Sequence, residues 1–391
     1  MLAARAALAR LSVHGYVGPF STRGPCAICH SIQDMGEAKP VTGLSTALLL
    51  YGLLAVALAA VLRGNRGLDA ISLVTIWVLF KASPATAVYL VVSTFTLPLI
   101  LRIPGASRHR KSVALIGSAA LVVGLVMTRI SDAVLWVGVS YFTLRHLHVL
   151  LDWWLGRVDA PQFPEYWRYQ LFLPVILTGP IHRYPAFIRE ASRRRVTAEA
   201  VFAGLERTLL GLVSVVVVAN WALRRLSELV ATHTVDLPLF FQHWISSGFD
   251  WLQILFGFGG FSAIAIGLAQ VAGIKLEENF RAPWLATNLV DFWRRWHITL
   301  SGWVRDYLYA PIAARSRAPA IGAFAAMVAM GLWHDFTLYY VLWGIWQGLG
   351  ISLTQYLMNG LTIIPAWAMR LSVPLWLTLT KPTILWLLEG L

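Results

Sequence analysis

Charge is what this chain lacks most. Of its 391 residues only 13% are Asp, Glu, Lys or Arg, while 58% are hydrophobic and the mean hydropathy is +0.65. Soluble domains carry about 25% charged residues, so a soluble globular fold is excluded and a polytopic membrane protein is indicated. Cysteine is nearly absent too. Cys26 and Cys29 are the two present, which excludes a disulfide framework for the rest of the chain. No N-terminal run has the basic, apolar, small-residue order of a cleavable signal peptide. Acidic residues are scarce beside basic ones, 19 against 32, for a net charge of +13. In a soluble protein that excess would suggest nucleic acid. Here the basic residues sit between apolar runs, where the positive-inside rule accounts for them and no nucleic-acid partner is implied.

What is present is a series of apolar runs. A membrane span needs about 20 apolar residues, fewer when buried among other helices. Residues 43–62, 84–101, 112–128, 133–151, 205–223, 249–273, 319–333 and 337–357 qualify. Residues 68–80, 169–181 and 371–388 are weaker, the last interrupted by Lys381. The expected fold class is all-α, a polytopic integral membrane helical bundle of about ten or eleven hydrophobic helices, some short or re-entrant. Residues 169–181 are the re-entrant candidate. The expected division is a polar N-terminal segment over 1–40 and one membrane domain over 41–391. Basic loops at Arg63 and Arg66, at Arg102 to Lys111 and at Arg189 to Arg195 mark the cytosolic side and leave residue 1 outside.

One stretch breaks the apolar pattern. Asp291 to Tyr309 reads DFWRRWHITLSGWVRDYLY, with three arginines, two aspartates and a histidine. Ionisable groups at membrane depth are costly and by default mark a functional site. On a single helix Asp291 would face Arg295, and Trp293 would face His297. Trp296, Leu300 and Trp303 would then continue an aromatic stripe. The bland alternative is an interfacial amphipathic helix with its arginines snorkelling. A second histidine, His334, ends the apolar run from Ile321 to Trp333. A lone histidine on an apolar helix is usually a satisfied core residue, yet desolvation there would also leave a neutral ring able to take a proton.

These blocks, with others, resemble the membrane-bound O-acyltransferase family. The resemblance rests on Asn279 to Tyr309, on Phe261 to Gly267 with Gly273-Ile274, and on Trp333-His334. It also rests on Leu173-Pro174, on Thr178 to Tyr184, and on Tyr141 to His148 with Asp152. It covers roughly 135–357 and is closest to the bacterial branch that acylates alginate, other polysaccharides or, through D-alanine, teichoic acids. It implies a helical bundle around a central tunnel, with His334 as the general base and His297 as a second, supporting histidine. Asp291, Arg294, Arg295, Trp296, Arg305, Asp306, Trp333 and Asp335 would support that site.

The implied donor is a cytosolic acyl thioester, acyl-CoA or an acyl carrier protein, with no cofactor or metal required. The implied acceptor is a hydroxyl of an extracytoplasmic polysaccharide, cell-envelope polymer or relay protein, which could be a secreted acyltransferase partner. The implied location is the bacterial cytoplasmic membrane. The alternatives are a non-catalytic transporter or export subunit on the same scaffold, and a haem-bearing redox subunit. The chain departs from the family where Asp335 replaces the usual glycine, where Ala263 replaces an aspartate, and at Pro311-Ile312-Ala313-Ala314. Asp335 is expected to cap a helix starting at Phe336. Arg145, His148 and Asp152 are expected to form a buried structural cluster.

Cys26-Ala27-Ile28-Cys29-His30 has the spacing of c-type haem attachment, with His30 as the axial ligand. A chance match, a mis-called start and a metal-binding pair are the other readings of this motif. Apolar residues between Leu11 and Ile32 are too few and scattered to bury a porphyrin face. Protein from a host able to attach c-type haem is therefore expected to show no acid-acetone-resistant Soret band. A covalent band lost in the Cys26→Ala/Cys29→Ala variant would establish the haem.

Overall fold

The computed structural model describes residues 53–54, 56–62, 64–130, 136–176, 178–360 and 365–389. The Cys26–His30 motif and the whole of 1–40 lie outside the described residues. Every regular element described is helical. After a helical stretch at 56–61 come α1 (Arg66–Ala82), α2 (Pro84–Arg102) and α3 (Arg110–Ile130). Ser83 separates α1 from α2 and caps the second, its hydroxyl accepting from the Thr86 N–H at 3.2 Å ahead of Pro84 in the first turn.

The centre is α4 (Val139–Trp154), and its sequence explains why it needs protein on all sides. Arg145, His146, His148 and Asp152 are all buried along it, and only protein can satisfy such groups inside a membrane. The helix begins at Gly138 with φ 68°, where a Cβ would lie 2.1 Å from the Ile176 carbonyl oxygen. Then come α5 (Phe163–Gln170), a 3₁₀ turn at Leu173–Val175, irregular backbone, and α6 (Tyr184–Ser192). The weak span at 169–181 is thus no membrane-crossing helix. Leu171, Phe172, Val175 and Ile176 are completely buried, and irregular backbone is tolerated at depth only when protein encloses it.

Next, α7 (Ala198–Val213), a π-helical segment Ser214–Leu223 and α8 (Arg224–His233) run on as one rod, Ala198–His233. Beside it lies α9 (Leu239–Val271). Two pairs of glycines let α7 and α9 touch backbone to backbone. A Cβ on Gly267 would lie 2.5 Å from the Gly204 carbonyl, and one on Gly211 would lie 2.7 Å from that of Gly260. Small residues at such contacts replace the hydrophobic drive that lipid removes.

The chain continues through α10 (Leu289–Arg295), α11 (Ile298–Val304), a π turn Arg305–Tyr309 and α12 (Ala310–Ser316). It closes with α13 (Pro319–His334), α14 (Leu338–Gly360) and α15 (Ala366–Glu389). Five described helical stretches are long and apolar enough to cross a membrane: Pro84–Arg102, Arg110–Thr128, Ala198–His233, Leu239–Val271 and Ala366–Leu388. The expected ten or eleven are not all matched, because α1, α4 and α13 are shorter or more polar than a free-standing span.

Arginines gather at one end of the bundle. Arg194 donates to the Ala59, Leu62 and Gly64 carbonyls and to that of Ala272, just after α9. Arg102 reaches the Pro161 carbonyl, Arg110 reaches that of Trp153, and Arg168 pairs with Asp69 at 2.7 Å. A cation at helix C-termini meets the negative end of the helix dipole.

The glycine contacts give a direct test. Gly267→Leu should destabilise by about 1–3 kcal/mol through overpacking, read as a lower melting temperature in detergent. Gly302→Ala, where a Cβ meets nothing within 4 Å, should leave that temperature unchanged or slightly raised. Equal melting of wild type and Gly267→Leu would mean that α7 and α9 are not in backbone contact.

Candidate functional site

The polar block around Asp291 does not form one helix. α10 ends at Arg295, Trp296 is extended, and His297 takes a left-handed conformation, φ 42° and ψ 52°. Trp293 and His297 therefore do not share a helical face, contrary to expectation. The cause is tertiary: the broken strand of chain pairs with the segment leading into the block. The Ile298 N–H donates to the Asn279 carbonyl at 2.8 Å, and the Arg281 N–H to the Arg295 carbonyl at 3.0 Å. Thr299 Oγ1 donates to Asn279 Oδ1 at 2.6 Å and accepts from the Ile181 N–H at 3.0 Å. A left-handed non-glycine residue costs of order 1–3 kcal/mol and persists only when its surroundings impose it.

That break buries His297. It is 5% exposed, and neither ring nitrogen has a hydrogen-bond partner among the described residues. Phe258 of α9 lies 4.7 Å from its ring and Trp333 lies 6.1 Å from it. Trp333 also meets the ring of His334, with centroids 5.0 Å apart. Both histidines thus contact one indole. His334 also stacks on Tyr340 at 5.7 Å and meets the edge of Trp343 at 5.7 Å. Trp333 is fixed to α4 by its indole N–H, 3.5 Å from the Ser140 carbonyl, and by edge contact with Tyr141 at 5.6 Å.

α13 starts beside the π turn, where a Cβ on Gly322 would sit 2.9 Å from the Tyr309 carbonyl. Its 16 residues rise only about 24 Å, short of a hydrocarbon core of about 30 Å, so α13, which ends at His334, is too short to cross unaided.

The supporting residues divide. Phe292, Trp293, Trp296, Leu300 and Trp303 are buried, which overturns the reading of this block as a surface amphipathic helix. Arg295 Nε bonds Asp291 Oδ1 at 3.0 Å, as spacing alone predicts, and Asn288 caps α10 through the Asp291 N–H. Arg294 is exposed, and Arg305 is 64% exposed and paired with Asp306. Neither arginine is assembled with the histidines. Asp306 also binds Arg183 at 3.1 Å. The Asp335 carboxylate accepts from the Phe336 N–H at 2.8 Å, but α14 starts only at Leu338. Asp335 therefore closes the turn between the helices, two residues ahead of α14.

The second expected cluster forms in part. His148 Nδ1 lies 3.2 Å from Asp152 and 2.8 Å from the Tyr307 hydroxyl, which donates to Asp152 at 2.9 Å. The Tyr184 N–H donates to His148 Nε2 at 2.9 Å, so Nδ1 carries the proton. Arg145 stands apart from the Asp152 carboxylate; it binds the Tyr169 carbonyl and lies over the Tyr169 ring at 4.9 Å. Phe258 was not singled out from sequence, and Asn279 and Thr299 lay inside the resembling block without a role; the packing brings them to His297. A cavity of about 210 Å³ between α14 and α15 is lined by residues such as Leu289, Gly350 and Trp376 and by neither histidine.

With the geometry in place, comparison with known proteins decides the family. The model of the membrane-bound O-acyltransferase family matches residues 119–378. The chain belongs to this family. The matched region runs from within α3 to within α15 and contains both histidines. Among similar curated proteins is one named probable alginate O-acetylase from Pseudomonas syringae pv. tomato. It is 28% identical over 246 residues, 61% of this chain and 46% of that protein. Teichoic acid D-alanyltransferase of Bacillus subtilis is 27% identical over 231 residues, 54% of this chain and 56% of its own. Peptidoglycan O-acetyltransferase of Helicobacter pylori is 30% identical over 198 residues, 49% and 37% of the two chains. The chain spans about half the length of the curated relatives it matches. Family and apolar helices together make it a multi-pass membrane protein.

Asp291 yields a pH prediction. Burial alone would raise its carboxyl, but the Thr287 N–H and then Arg295 outweigh it and hold the group below the usual carboxylate range. A carboxyl depressed on folding adds stability that is present above its unfolded pKa and lost as pH falls through the folded value. Asp291→Asn should therefore lower the melting temperature at pH 7 and make it less sensitive to acid below about pH 4. The pair is partly exposed, so the cost is about 1 kcal/mol or less. Parallel acid limbs for variant and wild type would contradict the assignment.

Proposed function

We propose that this protein transfers an acyl group, of acetyl or D-alanyl type, from a thioester to an acceptor hydroxyl within the membrane. The observation that carries this is the pair of histidines in ring contact with Trp333, one at a left-handed break and one at the end of a short helix. The relatives' printed activities, O-acetylation and D-alanyl transfer, support the same reading. They lend nothing to the export-subunit or redox alternatives. The arginine-rich end of the bundle faces the cytosol under the positive-inside rule, and acyl-CoA or an acyl carrier protein supplies the thioester from there. The acceptor comes from the opposite side, and the bilayer is the cytoplasmic membrane of a bacterium.

The chemistry balances without a cofactor. His334 takes the proton of the acceptor hydroxyl as its oxygen attacks the thioester carbonyl. A C–O bond forms, the C–S bond breaks, and the departing thiolate takes the proton back from the imidazolium. An imidazole suits this because its pKa lies near the working pH. His297, whose nitrogens have no hydrogen-bond partner among the described residues, can offer an N–H to the developing oxyanion. A central tunnel through the bundle would bring donor and acceptor together without moving the polar acceptor across the membrane.

His334→Ala should lower acyl transfer by about a hundredfold or more while the melting temperature stays near that of wild type. Transfer would be followed with purified protein, a radiolabelled acyl thioester and isolated acceptor. Unchanged turnover in the well-folded variant would remove His334 from the mechanism.

A further inference from the structure

The cavity between α14 and α15 has no part in this chemistry. It measures about 210 Å³, and its walls include Leu353 and Leu357 of α14, Met369 and Trp376 of α15, and Leu289 at the start of α10. Two hydroxyls also line it, and each is already bonded within its own helix. Thr354 Oγ1 donates to the Gly350 carbonyl at 2.7 Å, and Ser372 Oγ donates to that of Met369 at 2.8 Å. The Trp376 indole nitrogen is buried against Gly350, where a Cβ would lie 2.4 Å from it, and is closed to a guest. Among the described residues, no charged side chain lines the cavity. Apolar cavities of about 150 Å³ stay dry and take up hydrocarbon guests. This one has the size and chemistry to do the same.

Its walls are held apart. Trp376 stacks on Trp346 with ring centroids 4.4 Å apart, and the Trp346 indole N–H donates to the Trp376 carbonyl at 3.2 Å. Leu289 is the first residue of a helix that Asn288 caps. A void that cannot collapse leaves its lining without van der Waals partners. The cavity is also continuous with the outer surface of the bundle. Leu353 is both a lining residue and exposed, and Leu349, Leu371 and Leu375 are exposed along the same two helices. In a multi-pass membrane protein that surface meets lipid, and α15 is one of the stretches long enough to cross.

We propose that this cavity holds one acyl chain of a bilayer phospholipid, which enters between α14 and α15 and packs against Leu289. Lipid is as apolar as these walls, so the gain is van der Waals contact rather than transfer out of water. The chain completes the wall behind α10, the helix that leads into His297. The proposal does not depend on the acyl-transfer reading. The competing occupant is segment 361–364 of this chain, which joins the two helices.

Photolabelling tests it. Full-length protein would be placed in phosphatidylcholine nanodiscs carrying a trace of phosphatidylcholine with a diazirine on its acyl chain. After irradiation, adducts would be mapped by mass spectrometry. They should fall on Leu353, Leu357 and Met369 several-fold more densely than on Leu209 and Leu210 of α7. Exposure alone predicts the reverse, since Leu209 and Leu210 are 62% and 61% exposed and Leu353 is 49%. In the variant Ala368→Phe/Ser372→Leu, whose larger side chains fill the cavity, the excess should vanish while the melting temperature is kept or raised. If that variant does not fold, Ala368→Leu takes its place. No excess in wild type, the result expected if 361–364 fills the space, would overturn the proposal. So would an excess that survives in the folded variant.

Discussion

Inside a membrane, a backbone that leaves the helix must have its polar groups satisfied by the protein itself. The break at Trp296 and His297 depends on that constraint, and much of the structure serves it. Asn279 and Thr299 bind one another, and between them they hold the Ile298 N–H and the Ile181 N–H. The irregular chain after α5 is thereby tied to the polar block, although more than a hundred residues separate them in sequence. With these bonds made, His297 can occupy a left-handed conformation among Phe258, Trp333 and Trp296 without exposing backbone to lipid. Among the described residues its own nitrogens have no partner, which is the condition a group needs if it is to meet a substrate.

α4 performs the complementary task along the axis of the bundle. Near its start it holds Trp333 through Ser140 and Tyr141, and near its end it holds Tyr307 through His148 and Asp152. Between them the Leu144 carbonyl accepts from the Trp303 indole at 3.1 Å. One helix thus registers three parts of the second half of the chain. The π turn at Arg305–Tyr309 lets Tyr307 reach His148 and Asp152 while Asp306 turns to Arg183. Such turns change the direction of side chains within a helix and are frequent near functional sites.

Short helices matter as much as long ones. The five stretches long enough to cross form the frame, with outward faces rich in exposed Leu, Val and Phe. The elements that carry the histidines, α10, α11 and α13, are all too short to span unaided. Their ends lie within the protein, where the rings of His297 and His334 both meet Trp333. Close packing of α13 on α14 supports this, because a Cβ on Gly331 would lie 2.2 Å from the Tyr340 carbonyl. That contact sets Tyr340 against His334.

The sequence by itself determined the class of protein, its all-helical character and the family. Those depend on composition, apolar run length and contiguous motifs, all local properties that a linear reading can count. It also predicted the Asp291–Arg295 and His148–Asp152 pairs, because a spacing of four places side chains on one helical face. Tertiary structure alone decided where the polar block breaks, which of its charges are buried, and that Arg145 binds a carbonyl rather than Asp152. It turned residues 169–181 from a weak span into enclosed irregular chain, and it brought Lys381 to Asp250. Each of these outcomes is a competition between local helix propensity and a partner far away in sequence. Inside a membrane the partner wins, since a polar group left unpaired there costs more than a broken helix.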